Sequence, residues 1–232
     1  MPERQQLLRR YDHQLTVIAS LLFASALCVA LVAARAIYTH RLAYQGLLWN
    51  LFLAWLPVLS ALVAYNLYQR WLSLSTSLVI SAGFIWLLFF PNAPYLMTDL
   101  MHLQAASDVP FWYDLILFSA FAWTGLFLGV ASLAMMQALV RRSVGPVSSW
   151  VFVLGALAAG SVGIYLGRFL RWNSWDVFLN PGRILADVLD RLRHPFDHLQ
   201  TFGFTMLFFL LLMATYWMVV ALAGFRRKAS DF

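Results

Sequence analysis

The chain has 232 residues, of which 62% are hydrophobic and 11% charged, and its net charge at pH 7 is +6. Soluble domains carry roughly a quarter charged residues, so this composition, with a mean hydropathy of +0.74, excludes an ordinary soluble protein. The basic residues are almost all arginines in short connections and form no basic face interleaved with aromatics, so we expect the lipid bilayer and no nucleic acid as a partner. The single cysteine, Cys28, allows neither an internal disulfide nor a cysteine metal cage.

Six apolar runs of about twenty residues follow one another along the chain. They lie near 15–38, 46–68, 72–90, 111–140, 146–170 and 199–225. Each is long enough to cross a hydrocarbon core of about 30 Å as a helix. Since no repeat or low-complexity tract separates two halves and the links 69–71 and 141–145 are too short to hold a domain, the sequence predicts one integral membrane domain over 1–232. We expect an all-α polytopic bundle of about six transmembrane helices.

The basic residues also predict the orientation of this bundle. With an N-terminus inside the cell, nine of the sixteen basic residues are cytoplasmic, namely Arg4, Arg9, Arg10, Arg70, Arg141, Arg142, Arg226, Arg227 and Lys228. The connection 91–110 contains no Lys or Arg at all. The positive-inside rule therefore favours both termini in the cytoplasm. The connections 91–110 and 171–198 then lie together on the outer face.

A dense polar and proline-rich cluster follows the third run. Its two prolines, Pro91 and Pro94, are expected to end the helix at the residue before each of them, and the freed backbone groups must be satisfied by protein or by a wet cavity. If Thr98 caps a short following helix, Asp99 lies at its N-terminus and His102 shares its face. The alternative is a capped re-entrant turn in which Asp99 only binds backbone amides.

The fourth run begins with a second cluster, Trp112-Tyr113-Asp114. The two aromatics are typical of the membrane interface. Asp114 opens an otherwise uncharged run, and an acidic residue in a membrane helix usually faces the bundle interior or a partner cation.

The fifth run ends in a third cluster that contains arginines. Glycines at positions 160, 163 and 167 recur at helical spacing, which allows a neighbouring helix to approach closely. Arg171 continues this stripe by one turn, so we expect its guanidinium to point into packed protein, whereas Arg168 suits the membrane surface equally well. The simplest arrangement places the three acids Asp99, Asp114 and Asp176 opposite these two arginines.

Two further features complete the chain. The segment 180–193 has the pattern of an amphipathic helix, with Asn180 before Pro181 at its start, and we expect it to lie on the outer membrane surface. Within the second run, we expect Asn50 to make a hydrogen bond between helices, with ligand contact as the alternative.

Three motifs together resemble a bacterial membrane-protein family catalogued as domain of unknown function 1361 (DUF1361). They are Phe90-Pro91-Asn92-Ala93-Pro94-Tyr95 with Thr98-Asp99 and His102, then Trp112-Tyr113-Asp114, then Gly167-Arg168 through Asn173-Ser174-Trp175-Asp176. The resemblance covers nearly the whole chain. It implies a multi-pass protein of the bacterial cytoplasmic (inner) membrane and supplies no activity, substrate or cofactor.

The favoured hypothesis is binding or transport of a small polar or anionic ligand, or of a lipid headgroup, in an outward-facing polar pocket. Its residues are Asn92, Tyr95, Asp99, His102, Asp114, Arg168, Arg171, Asn173 and Asp176, with the arginines as anion contacts. One alternative is an intramembrane enzyme acting on a lipid or envelope precursor, with Asp99 and His102 as catalytic candidates and a divalent metal held with Asp114 or Asp176. Another is a structural or assembly partner. The sequence does not decide among them, nor does it identify a cofactor, a metal or an oligomeric state.

Overall fold

The computed structural model describes residues 2–70, 76–103 and 108–229 of the chain, and within these residues every regular element is helical. The elements are α1 (Pro2–Thr39), α2 (Gln45–Arg70), α3 (Thr76–Phe89), α4 (Asn92–Tyr95), a 3₁₀ helix (Leu96–His102), α5 (Phe111–Val144), α6 (Pro146–Leu170), α7 (Asp176–Leu179), α8 (Pro181–Arg193) and α9 (Leu199–Ala229). The all-α prediction is confirmed.

Within the described residues, six stretches are long and apolar enough to cross a membrane. They are Gln14–Thr39, Gln45–Tyr68, Ser77–His102, Phe111–Val144, Pro146–Leu170 and Leu199–Phe225. Each overlaps one of the runs expected from the sequence, although residues 72–75 of the third run lie outside the described residues. The protein is therefore a multi-pass membrane protein.

Helix α5 lies at the centre of the bundle and contacts α1, α2, α4, the 3₁₀ helix and α6. Helix α3 packs on α2, and α9 packs on α6. Two groups of buried side chains meet along α5, one shared with α1 and α2 and the other with α3, α6 and α9. This arrangement leaves α4 and the first half of the 3₁₀ helix inside the bundle, where Ala93, Leu96 and Asp99 are buried.

The first proline after α3 follows the prediction, but the second one does not end a helix. Helix α3 ends at Phe89, two residues before Pro91, but Pro94 lies inside the single turn of α4. Proline is tolerated there because the first turn of a helix has no partner for the missing N–H. The N–H of Tyr95 donates to the carbonyl of Pro91 at 3.0 Å, so the chain continues as a tight helical turn.

This broken segment packs closely against glycines of α5 and α6. A Cβ added to Gly125 of α5 would overlap the carbonyl oxygen of Ala93, and one added to Gly163 of α6 would lie 2.6 Å from Cγ of Pro91. The glycines of α6 were expected to pack against a neighbouring helix. They pack instead against the connection between α3 and α4. The broken segment is therefore held between two helices without room for another methyl group.

Substitution of Gly163 by alanine is expected to lower the free energy of unfolding by about 1–3 kcal/mol, because the added methyl group forces Pro91 to move. Gly155 on the same helix is the matched control, since a Cβ there would meet nothing within 4 Å. Thermal unfolding in one detergent should show Gly155→Ala at or above the wild-type midpoint. Equal midpoints for the two variants would contradict the close approach.

Candidate functional site

Arg168, in the last turn of α6, is the centre of a polar cluster that joins α6 to the broken segment. Its Nη2 donates to Oδ1 of Asp99, its Nε donates to Oγ1 of Thr98 at 2.8 Å, and its Nη1 lies 2.8 Å from Nε2 of His102. The guanidinium carbon lies 4.2 Å from the centre of the Tyr95 ring. All three guanidinium nitrogens and one face of the group are thus already in contact with protein.

Asp99 is 3% exposed and uses both carboxylate oxygens. While Oδ1 accepts from Arg168, Oδ2 accepts from Nδ2 of Asn50 at 3.0 Å, which confirms the hydrogen bond between helices expected for Asn50. Thr98 does not cap a helix, because it lies within the 3₁₀ helix and donates to the carbonyl of Tyr95 at 2.6 Å. Asp99 accordingly binds side chains of α2 and α6 rather than backbone amides.

His102 and Asp99 converge as the enzyme hypothesis requires, but Arg168 lies at the point where they meet. An arginine nitrogen can only donate, so Nε2 of His102 must accept and the ring proton must be on Nδ1. The lone pair that a general base would need is therefore occupied by Arg168.

Arg171 does not point into packed protein, and this expectation was wrong. Helix α6 ends at Leu170, and Arg171 has a left-handed backbone with φ of 60°. Its N–H and that of Trp172 both return to the carbonyl of Leu166, which terminates the helix. The helical face that carries Gly163 and Gly167 therefore ends at Leu170, before it reaches Arg171. The Arg171 side chain is exposed and makes no ion pair with the described residues.

Asp114 belongs to a separate cluster and does not face Arg168 or Arg171. Its oxygens accept from Arg35 of α1, at 2.9 Å from Nε and 3.3 Å from Nη2, and from the Tyr44 hydroxyl at 3.2 Å. Arg35 also stacks on the Tyr44 ring at 4.4 Å. Burial, and then the charge of Asp114, raises the pKa of the Tyr44 phenol, so its O–H stays available as a donor.

Asp176 does not face an arginine either, because its carboxylate binds Asn173 in the loop between α6 and α7. Its Oδ2 accepts from the backbone N–H of Asn173 at 2.8 Å and from the side-chain amide of Asn173 at 3.3 Å. The loop is attached on both sides, since Asn92 donates to Ser174 at 3.0 Å and Trp172 donates to Asp187 of α8 at 2.8 Å. The two connections expected on one face therefore meet at one end of the bundle.

A cleft of about 480 Å³ lies beside this cluster, between α3 and α6. Its lining comes from α2, α3, α4, α6 and the segment that follows α6, comprising Trp49, Asn50, Leu53, Phe84, Leu87, Leu88, Pro91, Asn92, Tyr95, Ala159, Val162, Gly163, Leu166, Gly167, Trp172, Asn173, Ser174, Trp175, Val177 and Ile184. Asn92, Tyr95 and Asn173 are the candidate residues that line it, whereas Arg168 and Asp99 are not part of its lining.

The acids proposed as metal ligands are not brought together. Within the part of the chain that the structure describes, no group of three His, Cys, Asp or Glu side chains has the spacing to hold an ion. Asp114 is paired with Arg35, and Asp176 with Asn173. The ligand set of the metalloenzyme hypothesis is therefore absent from these residues.

Comparison with known proteins finds a family model, described as a protein of unknown function (DUF1361), that matches residues 49–215. The chain belongs to the DUF1361 family. No curated protein and no solved structure matches the chain. The DUF1361 match contains the Arg168 cluster and every residue that lines the cleft, and it excludes Arg35 and Tyr44.

Two residues that line the cleft and one partner of a buried acid were not singled out from the sequence. Trp49 and Trp172 line the cleft, and Arg35 is the partner of Asp114. The signal for Arg35 was its position inside the apolar run 15–38, where an isolated charge implies a buried partner. For the tryptophans no signal separated cleft residues from ordinary interfacial aromatics.

Proposed function

We propose that this protein binds a membrane lipid in the cleft between α3 and α6, at the outer face of the bacterial cytoplasmic membrane. The lipid chain lies along the apolar walls, and the headgroup lies at the polar end formed by Asn92, Asn173 and Ser174. The observation that carries the proposal is the position of the cleft, which extends from membrane-spanning residues to this polar end.

The walls of the cleft favour a lipid over a small soluble ligand. Phe84 is 54% exposed, Leu87 39% and Val162 37%, and all three lie within candidate membrane spans. Along α6 the lining extends from Ala159 to Gly167, about 12 Å at 1.5 Å per residue. An apolar wall of this length that opens toward the hydrocarbon core suits a lipid chain.

The contacts of the charged residues argue against the other sequence hypotheses. Three of the five N–H donors of Arg168 are directed at Thr98, His102 and Asp99, and its charge is compensated by the Asp99 carboxylate, so a small anion would have to compete with that pair. These groups instead hold the end of α6 against the broken segment, which forms the floor of the cleft. The cluster thus supports binding by positioning the cleft walls, without contacting the lipid.

Filling the cleft should abolish lipid retention. Ala159 lines the cleft and Ala158 does not, although both are exposed neighbours on α6. Native mass spectrometry of the detergent-purified protein should show a bound lipid in the wild type and in Ala158→Phe, and at least a tenfold smaller fraction bound in Ala159→Phe. Monodisperse elution of both variants controls for folding. Equal lipid retention by the two variants, or no retained lipid in the wild type, would contradict the proposal.

A further inference from the structure

The polar end of the cleft contains amide groups of known orientation. Nδ2 of Asn50 donates to the Asp99 carboxylate at 3.0 Å, and Nδ2 of Asn173 lies 3.3 Å from the Asp176 carboxylate. Nδ2 of Asn92 donates to the carbonyl of Phe89 at 3.1 Å. Since each of these partners can only accept, the nitrogen of each amide must face its partner.

The side-chain oxygens of these three asparagines are therefore available to a ligand as acceptors. None of them accepts a hydrogen bond from the described residues. Ser174 accepts from Asn92 at 3.0 Å, which leaves its own O–H to donate. The same end also offers donors, from the second N–H of Asn50 and of Asn173 and from indole N–H groups in the lining, so a matching headgroup must both donate and accept hydrogen bonds, as hydroxyl groups do.

The cleft also offers no charge to a headgroup. Among its described lining residues none is acidic, basic or a histidine. A phosphate would find no cation in the lining, since Arg168 is not part of it and is paired with Asp99. Burying an unpaired anion is costly, and that cost favours an uncharged headgroup.

Three tryptophans, Trp49, Trp172 and Trp175, supply flat amphipathic surfaces at the same end of the cleft. Trp49 and Trp175 are 54% and 38% exposed, so their rings are accessible to a ligand. Aromatic walls with a few convergent polar groups are typical of small-molecule sites. Hydroxyl groups on a ring or a short polyol match both features, because they donate to the amide oxygens while their carbon faces rest on the indoles.

We infer that the lipid bound in this cleft carries an uncharged, hydroxyl-rich headgroup, of the kind found in glycosylated diacylglycerols. This inference rests on the proposed lipid-binding function and specifies the chemical class of its ligand. The asparagine oxygens and the N–H and O–H donors beside them match hydroxyl groups, which both donate and accept, and the absence of a charge in the lining selects against phosphate.

A competition among lipids of identical chains tests the inference. The protein is exchanged into nanodiscs that contain equal fractions of monoglucosyl diacylglycerol, phosphatidic acid, phosphatidylethanolamine and diacylglycerol, and the bound lipid is counted by native mass spectrometry. We expect the glucosyl lipid to exceed phosphatidic acid at least tenfold. A preference for phosphatidic acid or phosphatidylethanolamine would overturn the inference and leave lipid binding intact. Binding of none of the four would overturn both.

A variant separates headgroup recognition from folding. Asn173→Ala removes one amide oxygen, while the backbone N–H of residue 173 can keep its 2.8 Å bond to Asp176. Retention of the glucosyl lipid should fall about 3- to 10-fold relative to wild type, as expected for one hydrogen bond. Retention of diacylglycerol, which has no sugar, should not change. A parallel fall for both lipids would overturn the assignment of Asn173 to the headgroup.

Discussion

Replacement of Arg35 by methionine is expected to lower the free energy of unfolding by about 3–5 kcal/mol, because it leaves a buried carboxylate without its cation. The side chains of Arg35 and Asp114 are 5% and 1% exposed. The Tyr44 hydroxyl, at 3.2 Å from Asp114, cannot replace the lost charge. The variant should therefore unfold at a clearly lower temperature in detergent and should accumulate poorly in membranes.

An exposed ion pair gives a matched control for this prediction. Arg41 lies 3.2 Å from Asp108, with side chains 75% and 56% exposed, so Arg41→Met should change the free energy of unfolding by less than about 1 kcal/mol. The double variant Arg35→Met with Asp114→Leu should recover much of the lost stability, since no uncompensated charge remains. Equal effects of the two single arginine variants would contradict a buried pair between α1 and α5.

Replacement of Arg168 by methionine is expected to cost about 3–5 kcal/mol as well, for the same electrostatic reason. Asp99 is 3% exposed and would keep only its hydrogen bond to Asn50. Arg168→Lys should restore little, because a single ammonium cannot reproduce three directed contacts and the stacking on Tyr95. Thermal midpoints and yields of the purified variants measure both effects.

Arg171 is the control for Arg168, three residues further along the chain. Its side chain is exposed and makes no ion pair with the described residues, so Arg171→Met should change stability by less than about 0.5 kcal/mol. Equal loss of stability in Arg171→Met and Arg168→Met would contradict the distinction between a buried, paired Arg168 and an exposed Arg171. Loss of lipid retention in Arg168→Met is expected together with the loss of stability, because the cluster positions the cleft floor.

The spans could be predicted closely because apolar length is a property of local sequence. The expected run 146–170 coincides with α6 (Pro146–Leu170), and 46–68 with the span Gln45–Tyr68. The meeting of the connections 91–110 and 171–198 also followed from the number of spans alone. The hydrogen bond from Asn92 to Ser174 confirms it.

The choice of ionic partners could not be predicted, because it depends on which helices are neighbours. Asp114 was assigned to the arginines of α6, but α5 also contacts α1 and brings it to Arg35. Arg35 was not considered as the partner, since nothing in the residues around Asp114 points to α1. Only the packing of α1 against α5 decides the pairing.

The prediction that Arg171 points into packed protein was wrong for a local reason. The stripe of glycines was extended by one turn past the helix end, and the end itself had no clear signal. Glycine usually supplies the left-handed residue that terminates a helix, whereas here Arg171 does so with φ of 60°. The helical face that continues from Gly167 is therefore interrupted before it reaches Arg171.

A high-resolution density map of the protein in lipid nanodiscs tests lipid binding most directly. We expect an elongated density between Leu87 of α3 and Val162 of α6, which both line the cleft, ending within about 3 Å of the side chains of Asn92 and Asn173. A cleft closed by contact of α3 with α6, or filled by density no better ordered than the surrounding bilayer lipid, would contradict the account.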